Sequence, residues 1–260
     1  MNIENFIEKT AKGAGKILMK HFGKLKHIEP KGRRDVVTEA DKLSEKFIIS
    51  QIKKKFPNHA ILGEETGMHG KSKNLWVIDP LDGTKNYSIR NPFFNVSIAF
   101  LQNGEITNAG VYAPFLDEFY YAEKGKGATL NKKRIHVSDV SDLKNSFVQF
   151  CRGVSNKAIR NCSKIYSHLL PKVLALRQQG AAELEMCFVA AGRTPVYYMN
   201  DFNTPWDVAA GTLIVREAGG KVTNFKGEEF NLFKHKNIIA SNGKIHEKIM
   251  KEINKALQRV

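Results

Sequence analysis

The stretch WVIDPLDGTKNY, residues 76–87, joins an apolar run to a turn that carries two carboxylates. The apolar residues at its start predict a buried strand. Pro80 directs the chain out of the sheet because it has no N–H to donate, and Gly83 permits a backbone conformation that a side chain would block. Asp79 and Asp82 therefore stand at the mouth of a buried strand. A lone segment of this type is more often a surface turn, but two acids that end a buried strand need a cation to offset their lost hydration.

Further acids occupy comparable places along the chain. Glu64 and Glu65 follow a short apolar run of strand type at residues 60–62, and Asp207 opens an otherwise apolar helical segment. For Asp207 taken alone, metal binding and a favourable interaction with the helix N-terminal dipole are equally supported. Oxygen ligands without His or Cys nearby favour magnesium over zinc or copper, and several carboxylates indicate more than one ion.

Hydrophobic periodicity predicts two helices at the start of the chain. The first spans residues 3–22, and the second has Thr38 as N-cap, Asp41 three residues later, and Pro57 as its end. The buried stripe of the second helix is predicted to contain Leu43, Phe47, Ile48 and Ile52.

Strand and helix patterns then alternate to the end of the chain. Asn103 and Gly104 mark a hairpin turn between two of the strands. Strands are expected at residues 60–62, 75–78, 94–101, 106–112, 147–150, 173–176 and 196–198, and later helices at 181–191 and 206–218. Since no linker or internal repeat interrupts this pattern, it predicts one α/β unit over residues 1–260, built from stacked helix and sheet layers.

Composition supports a globular protein. Hydrophobic residues make up 42% and charged residues 26% of the chain. Charged residues interrupt the first twenty positions, so neither a signal peptide nor a membrane span is expected there, and we expect a cytoplasmic location. The thiols Cys151, Cys162 and Cys187 are odd in number and lack zinc-site spacing, which indicates reduced packing residues.

The net charge of +15 is the unusual bulk property. It is compatible with nucleic acid, an anionic membrane surface or a small anionic substrate. The basic residues fall in different predicted elements and carry no interleaved aromatic residues; they include Lys24, Lys26, Arg33, Arg34, 53–55, 132–134, Lys248 and Lys251. This distribution favours a solvated basic surface over a nucleic-acid site, although nucleic acid stays a possible partner.

Three motifs, in order, resemble the inositol monophosphatase family of lithium-sensitive, magnesium-dependent sugar phosphatases. They are DVVTEAD at 35–41, GEE at 63–65 leading to WVIDPLDGTKNY, and PWDVAAGTLIVREAGG at 205–220. The resemblance covers nearly all 260 residues. It implies an α/β fold of the layered α/β/α/β/α sandwich type, with two tightly packed halves that meet near residue 145, and a homodimer.

The same resemblance implies a set of magnesium ligands. Glu64, Asp79 and the carbonyl of Leu81 would hold a first Mg²⁺, and Asp79, Asp82 and Asp207 a second. Glu64 would help to hold a third, weaker ion, and Glu64, Asp82 and Asp207 would also contact the substrate.

For catalysis, the resemblance implies roles for the start of a short helix. The backbone of Gly83 and Thr84 would bind the phosphate, and the Thr84 hydroxyl, paired with Asp41, would orient the attacking water together with Glu64. Asp41 can serve this dyad while it also forms a capping box with Thr38. The expected reaction is in-line attack of water on phosphorus without a covalent enzyme intermediate.

Substrate selection is expected at a separate group of residues: Arg177, Gly180, Ala181, Ala182 and Asp201. For Arg177, a surface position at the end of a strand is an equally supported alternative. The inositol-specific members of the family carry Glu where this chain has Asn200, within a loop at 199–205 that is one residue longer. Inositol 1-phosphate is therefore expected as one substrate of a broadly specific enzyme, with fructose 1,6-bisphosphate and adenosine 3',5'-bisphosphate as alternatives. An RNA-associated regulator and a catalytically silent protein of the same fold are the non-enzyme hypotheses.

Overall fold

Helices and sheets alternate in layers in the computed structural model, which describes residues 3–25, 28–32, 35–202 and 204–258. Lys26, Arg33 and Arg34 of the basic clusters, and Asn203 of the loop at 199–205, lie outside the described residues. Cys151, Cys162 and Cys187 are free and buried, in agreement with the predicted packing role. Within the described chain, no helix is both long and apolar enough to cross a membrane.

The helices in the described residues carry the layers on which the sheets pack. They are α1 (Ile3–His21), α2 (Glu39–Lys55), α3 (Thr84–Ser88), α4 (Asn156–Leu169), α5 (Ala182–Ala190), α6 (Ala209–Glu217) and α7 (His246–Gln258). Short 3-10 turns lie at Leu143–Asn145 and Pro205–Asp207.

The strands form a two-stranded ribbon and two larger mixed sheets. The ribbon pairs β1 (Ile28–Gly32) with β2 (Asp35–Thr38). The larger sheet has the order β10-β9-β8-β7-β6-β5-β3-β4, and the smaller sheet β12-β11-β13-β15-β14. Their ranges are β3 (Ala60–Gly63), β4 (Gly67–His69), β5 (Asn74–Asp82), β6 (Asn95–Gln102), β7 (Glu105–Ala113), β8 (Glu118–Glu123), β9 (Gly127–Leu130), β10 (Lys133–Arg134), β11 (Phe147–Arg152), β12 (Ala175–Arg177), β13 (Val196–Asn200), β14 (Lys221–Thr223) and β15 (Asn237–Ser241).

Three hydrophobic clusters separate the layers. Helices α1 and α2 cover one face of the larger sheet through a cluster that contains Trp76 and Tyr87. Helices α5 and α6 fill the space between the two sheets with residues such as Met186 and Leu213. Helices α4 and α7 cover the outer face of the smaller sheet around Phe150 and Ile249. The predicted α/β/α/β/α sandwich is therefore confirmed.

Several predicted elements match the structure closely. Thr38 caps α2 in a capping box with Asp41, and the hairpin at Asn103 and Gly104 joins β6 to β7. The remaining predicted strands and helices are present, with ends that shift by a few residues. Helix α4 was not predicted, although Ser155 caps it through a hydrogen bond from the Ala158 N–H.

Two local predictions were wrong. Leu43 is 37% exposed and does not belong to the buried stripe of α2, because it lies on the solvent side of that helix. The helix predicted at 206–218 is broken at Val208, so that Asp207 ends a 3-10 turn and α6 begins after it at Ala209.

Candidate active site

A bulge in β5 brings the two acids of the central turn onto one face of the sheet. Asp79 pairs with Ser97 and Asp82 with Asn95, so three steps along β5 match two steps along β6. Side chains alternate between the faces of a regular strand, and positions three apart would point in opposite directions. The bulge at Pro80 and Leu81 inserts one extra residue into β5, so Asp79 and Asp82 point to the same face.

Asp79 is the acid with the least access to water. It is 1% exposed, and its Oδ1 accepts a hydrogen bond from the Leu81 N–H at 2.9 Å. Burial raises the pKa of Asp79 well above its ordinary value, and the charges of Glu64, Asp82 and Asp207 raise it further. These four acids therefore lie close enough together to repel one another.

Asp82 is held by donors from two other elements. Its Oδ2 accepts from the Asn95 amide at 2.7 Å and from the Glu183 N–H at 2.8 Å, and its Oδ1 accepts from the Ala182 N–H at 3.0 Å. Burial raises the pKa of Asp82, while these hydrogen bonds act in the opposite direction. The first N–H groups of α5 thus fix the orientation of this carboxylate.

The predicted pair of Thr84 and Asp41 is present as a hydrogen-bonded contact. Thr84 Oγ1 lies 3.0 Å from Asp41 Oδ1 and 3.0 Å from the Leu81 carbonyl oxygen. The other oxygen of Asp41 accepts from the N–H and the hydroxyl of Thr38, so one carboxylate serves both the cap of α2 and Thr84. Burial raises the pKa of Asp41 to about 6, against the effect of the Thr38 hydrogen bonds.

These groups lie around one cleft of about 330 Å³. Its lining includes the predicted metal ligands Glu64, Asp79, Leu81, Asp82 and Asp207, together with Gly83 and Thr84. Asp41 lies behind Thr84, outside the lining, and so can act on the cleft only through that hydroxyl. Gly83 begins α3 with φ +96°, and a Cβ there would lie 3.0 Å from the Phe93 carbonyl oxygen, so this position requires glycine.

The predicted substrate contacts are brought together only in part. Gly180, Ala182 and Asp201 line the cleft, whereas Ala181 is fully buried beneath it. Arg177 is exposed at the edge strand β12, donates to the Leu176 carbonyl at 3.1 Å, and is not among the residues that line the cleft.

Asn200, which stands where Glu is expected in inositol-specific proteins, lies at the end of β13, and Asp201 follows it. Asn200 is buried, and its amide donates to the Ala158 carbonyl at 2.9 Å, which ties it to α4 and away from the cleft. Asp201 has φ +55° and accepts a hydrogen bond from Ser155. Asp201, unlike Asn200, therefore lines the cleft.

Sequence reasoning missed several residues of the cleft. Arg152 and Ser155 line it from the β11–α4 junction, Lys85 lines it from α3, and Gln178 lines it from the loop after β12. Arg152 ends a strand that was predicted at 147–150, and its place at the carboxyl end of that strand was the available signal. Asn95 on the next strand and Glu183, 101 residues after Asp82, orient that carboxylate, and no local pattern indicates them.

The donors of the cleft fit a divalent cation. They are oxygen atoms of carboxylates and of one carbonyl, which suit magnesium, and a cation would offset the raised pKa of the buried Asp79. Within the described ranges, no three His, Cys, Asp or Glu side chains already stand in a metal-binding arrangement. Asp79 and Glu64 are hydrogen-bonded to each other, and a cation held by both acids would replace that contact.

The layered fold and this acid-lined cleft are those of a phosphatase family. The model of the inositol monophosphatase family matches residues 2–258. The chain belongs to that family, which is metal-dependent.

Relatives and solved structures agree over almost the whole chain. A Thermotoga maritima protein described as fructose-1,6-bisphosphatase/inositol-1-monophosphatase is 38% identical over 98% of this chain and 97% of its own. The Nus factor SuhB of Xylella fastidiosa is 39% identical over 86% of this chain and 82% of its own.

The structure of a Thermotoga maritima IMPase superposes with a TM-score of 0.92 at 38% identity and covers 99% of both chains. An IMPase/NADP phosphatase complexed with Mg²⁺ and phosphate has a TM-score of 0.84 at 25% identity, over 97% of this chain and 95% of its own.

We predict that Asp79→Asn removes the stabilisation by magnesium without unfolding the protein. Because the pKa of Asp41 is raised to about 6 and that of Asp79 is also raised, the metal-free protein should lose stability as pH rises from about 4 through 6. Asn keeps the shape and removes one charge, so the metal-free variant should be at least as stable as the native protein above that range. Thermal unfolding with and without Mg²⁺ measures both effects.

The exposed Asp139 provides the control for this experiment. Asp139→Asn removes an acid that pairs with Lys244 outside the cleft, and it should leave the rise in Tm with Mg²⁺ unchanged. An undiminished rise in Tm for Asp79→Asn would contradict the metal assignment.

A second prediction concerns the hydroxyl of Thr84. Thr84→Ala should reduce kcat by about 100 to 10,000-fold, as loss of proton-transfer or water-orienting assistance does, while Mg²⁺ still raises Tm. Thr84→Ser should recover much of the rate, and Thr107→Ala, which removes a hydroxyl bonded to the Phe100 carbonyl, serves as control. A loss of less than about threefold would show that Thr84 only shapes the turn.

Proposed function

We propose that the protein hydrolyses small phosphomonoesters in a magnesium-dependent reaction, with inositol 1-phosphate as one substrate of a broadly specific enzyme. The observation that carries this proposal is the contact of Thr84 Oγ1 with Asp41 at the edge of a cleft lined by Glu64, Asp79 and Asp207. A water-orienting hydroxyl beside clustered acids is the arrangement that attack on a phosphate ester needs.

The chain's own residues supply orientation and charge. The hydrogen of Thr84 Oγ1 is directed to Asp41 or to the Leu81 carbonyl, and in both cases the hydroxyl oxygen keeps lone pairs that can accept from a water. Mg²⁺, when bound by Glu64, Asp79, Leu81, Asp82 and Asp207, would neutralise phosphate charge and promote ionisation of water. Asp41 would keep the Thr84 hydroxyl in place and not touch the substrate.

Specificity would come from the wall opposite the acids. Arg152 and Ser155 at the β11–α4 junction, with Asp201 and Gln178, offer donors and acceptors to the alcohol portion of the substrate. The Asn200 amide is hydrogen-bonded to the Ala158 carbonyl of α4. On this wall of the cleft, Asp201 would therefore be the carboxylate available to ring hydroxyls. Because Asp201 is also bonded to Ser155, we expect it to discriminate among polyols weakly.

Phosphate release across a substrate panel tests the proposed function. We expect turnover of inositol 1-phosphate, fructose 1,6-bisphosphate and glycerol 2-phosphate with Mg²⁺ and less with adenosine 3',5'-bisphosphate. A preference for inositol 1-phosphate above about a thousandfold in kcat/KM would contradict broad specificity. Asp201→Ala should then lose activity selectively on inositol 1-phosphate, and no release from any ester would overturn the phosphatase proposal.

A second candidate, binding of RNA, rests on a specific charge pattern. Residues 143–182 contain no Asp or Glu, and their basic residues are Lys144, Arg152, Lys157, Arg160, Lys164, Lys172 and Arg177. Lys157, Arg160 and Lys164 are exposed at helical spacing on α4 and form one stripe. A similar relative is described as a Nus factor.

The α4 stripe can be tested by RNA binding at varied salt. If this candidate holds, labelled RNA should bind with a steep salt dependence, and Lys157→Glu with Arg160→Glu should weaken binding by about tenfold or more. The control, Lys53→Glu with Lys54→Glu, makes the same charge change on α2. Equal effects of the two double variants would leave only the general attraction of a basic protein for a polyanion.

The homodimer stays a prediction of the family resemblance. Ile89, Phe115 and Leu116 are 74%, 49% and 45% exposed, and they are among the exposed apolar side chains that a second copy could cover.

A further inference from the structure

Glu183 is a buried acid on α5 whose carboxylate binds the backbone of another helix. Its Oε1 accepts from the Ala210 N–H at 2.9 Å, and its Oε2 accepts from the Gly211 N–H at 2.5 Å. The side chain is 0% exposed. Both oxygens are thus satisfied by the first turn of α6.

Helix α6 needs this acceptor because its own N-cap supplies none. The N-cap residue, Val208, has no side-chain acceptor, and the first N–H groups of a helix have no partner within the helix. A Cβ on Gly211 would lie 2.7 Å from Glu183 Oε2, so the glycine provides the space that the carboxylate occupies. Glu183 therefore caps α6 from a different helix.

The backbone of the same residue binds the other side of the cleft. The Glu183 N–H donates to Asp82 Oδ2 at 2.8 Å, next to the bond from the Ala182 N–H. Asp207 lies two positions before α6, where its carboxylate accepts from the Thr204 hydroxyl. Glu183 is thus bonded directly to Asp82 and, through the start of α6, to the segment that carries Asp207.

We propose that Glu183 is a positioning residue that sets the spacing between Asp82 and Asp207 and thereby the affinity of the cleft for Mg²⁺. This inference rests on the proposed function only in that the cleft binds Mg²⁺. Loss of the carboxylate would leave two buried N–H groups of α6 without acceptors, and the helix start would move toward other partners. Asp207 would move with it, while Asp82 on β5 would stay bonded to the first N–H groups of α5.

Proximity supports this role beyond the hydrogen bonds. The charges of Asp82 and Asp207 both act on Glu183, whose pKa is raised well above its ordinary value chiefly by burial. An acid placed this close to two ligands shapes their surroundings even though it does not line the cleft.

Glu217 provides a matched control at the other end of α6. Its carboxylate also accepts from two backbone N–H groups, those of Gly125 at 2.8 Å and Gly127 at 2.7 Å. It lies outside the cleft. Glu217→Ala therefore removes a comparable pair of bonds from the same helix without a link to the acids.

The experiment is a Mg²⁺ titration of the native protein and of Glu183→Ala, Glu183→Gln and Glu217→Ala. Trp206, beside Asp207, reports binding by fluorescence, and the rise in Tm with Mg²⁺ is a second readout. We expect affinity to fall about 10 to 100-fold in Glu183→Ala, as for removal of a group that orients a metal ligand. Glu183→Gln retains one acceptor and should fall less, and Glu217→Ala should stay within about twofold of native.

Kinetics separate positioning from a general loss of structure. At saturating Mg²⁺, the kcat of Glu183→Gln should approach the native value, whereas its half-saturation by Mg²⁺ should remain raised. Native affinity in folded Glu183→Ala and Glu183→Gln, or an equal loss in Glu217→Ala, would overturn the inference. If Glu183→Ala does not fold, the volume-conserving Glu183→Gln decides. Failure of the native protein to bind Mg²⁺ would overturn the proposed function as well. A native protein that binds Mg²⁺, together with variants of unchanged affinity, would overturn only the role of Glu183.

Discussion

The repulsion among buried carboxylates is the constraint around which the cleft is arranged. Asp79 is almost without access to water, and three further acids act on it. No cationic side chain hydrogen-bonds to Asp79 or Asp82 among the contacts of the described residues; neutral donors surround Asp82 instead. Backbone N–H groups and an amide reduce the cost of charge but do not cancel it, so protonation of an acid or a bound cation would relieve the repulsion that remains.

The layered fold makes this crowding possible because it delivers acids from independent elements to one edge. Asp79 and Asp82 come from the bulge of β5, whereas Asp207 comes from the turn before α6. Helix α5 lies between them and is bonded to both sides through Glu183. The packed layer between the sheets is therefore also the frame that fixes the distances among the acids, which a loop-borne site could not hold as firmly.

The sequence was sufficient for the parts of the site that depend on local chemistry. Gly83 marked the end of β5 after Asp82, and the spacing of Thr38 and Asp41 predicted the capping box. The prediction that Pro80 takes the chain out of the sheet was wrong, because β5 continues to Asp82 and accommodates Pro80 in a bulge. The local sequence does not predict whether a side chain at the end of a strand points into the cleft. Arg177 was expected in the cleft, yet Arg152 lines it, because that outcome depends on the register of β11 and β12. The role of Glu183 was not predicted because it depends on contacts between distant parts of the chain. Its hydrogen-bond partners lie about a hundred residues before it and 27 or 28 residues after it.

The cleft has two walls that are built from different elements. The acids and Thr84 come from the end of β3, from β5, from α3 and from the segment before α6, whereas Arg152, Ser155 and Asp201 come from β11, the start of α4 and the loop after β13. At the second wall, the chain is crowded: a Cβ on Gly153 would lie 2.1 Å from the Asp201 carbonyl oxygen. Asp201 is held there with φ +55° and a bond to Ser155, so its direction follows from the path of the loop and the start of α4. A change in that loop would therefore redirect the Asp201 carboxylate, while the acids of the first wall, which are anchored on other elements, would keep their positions.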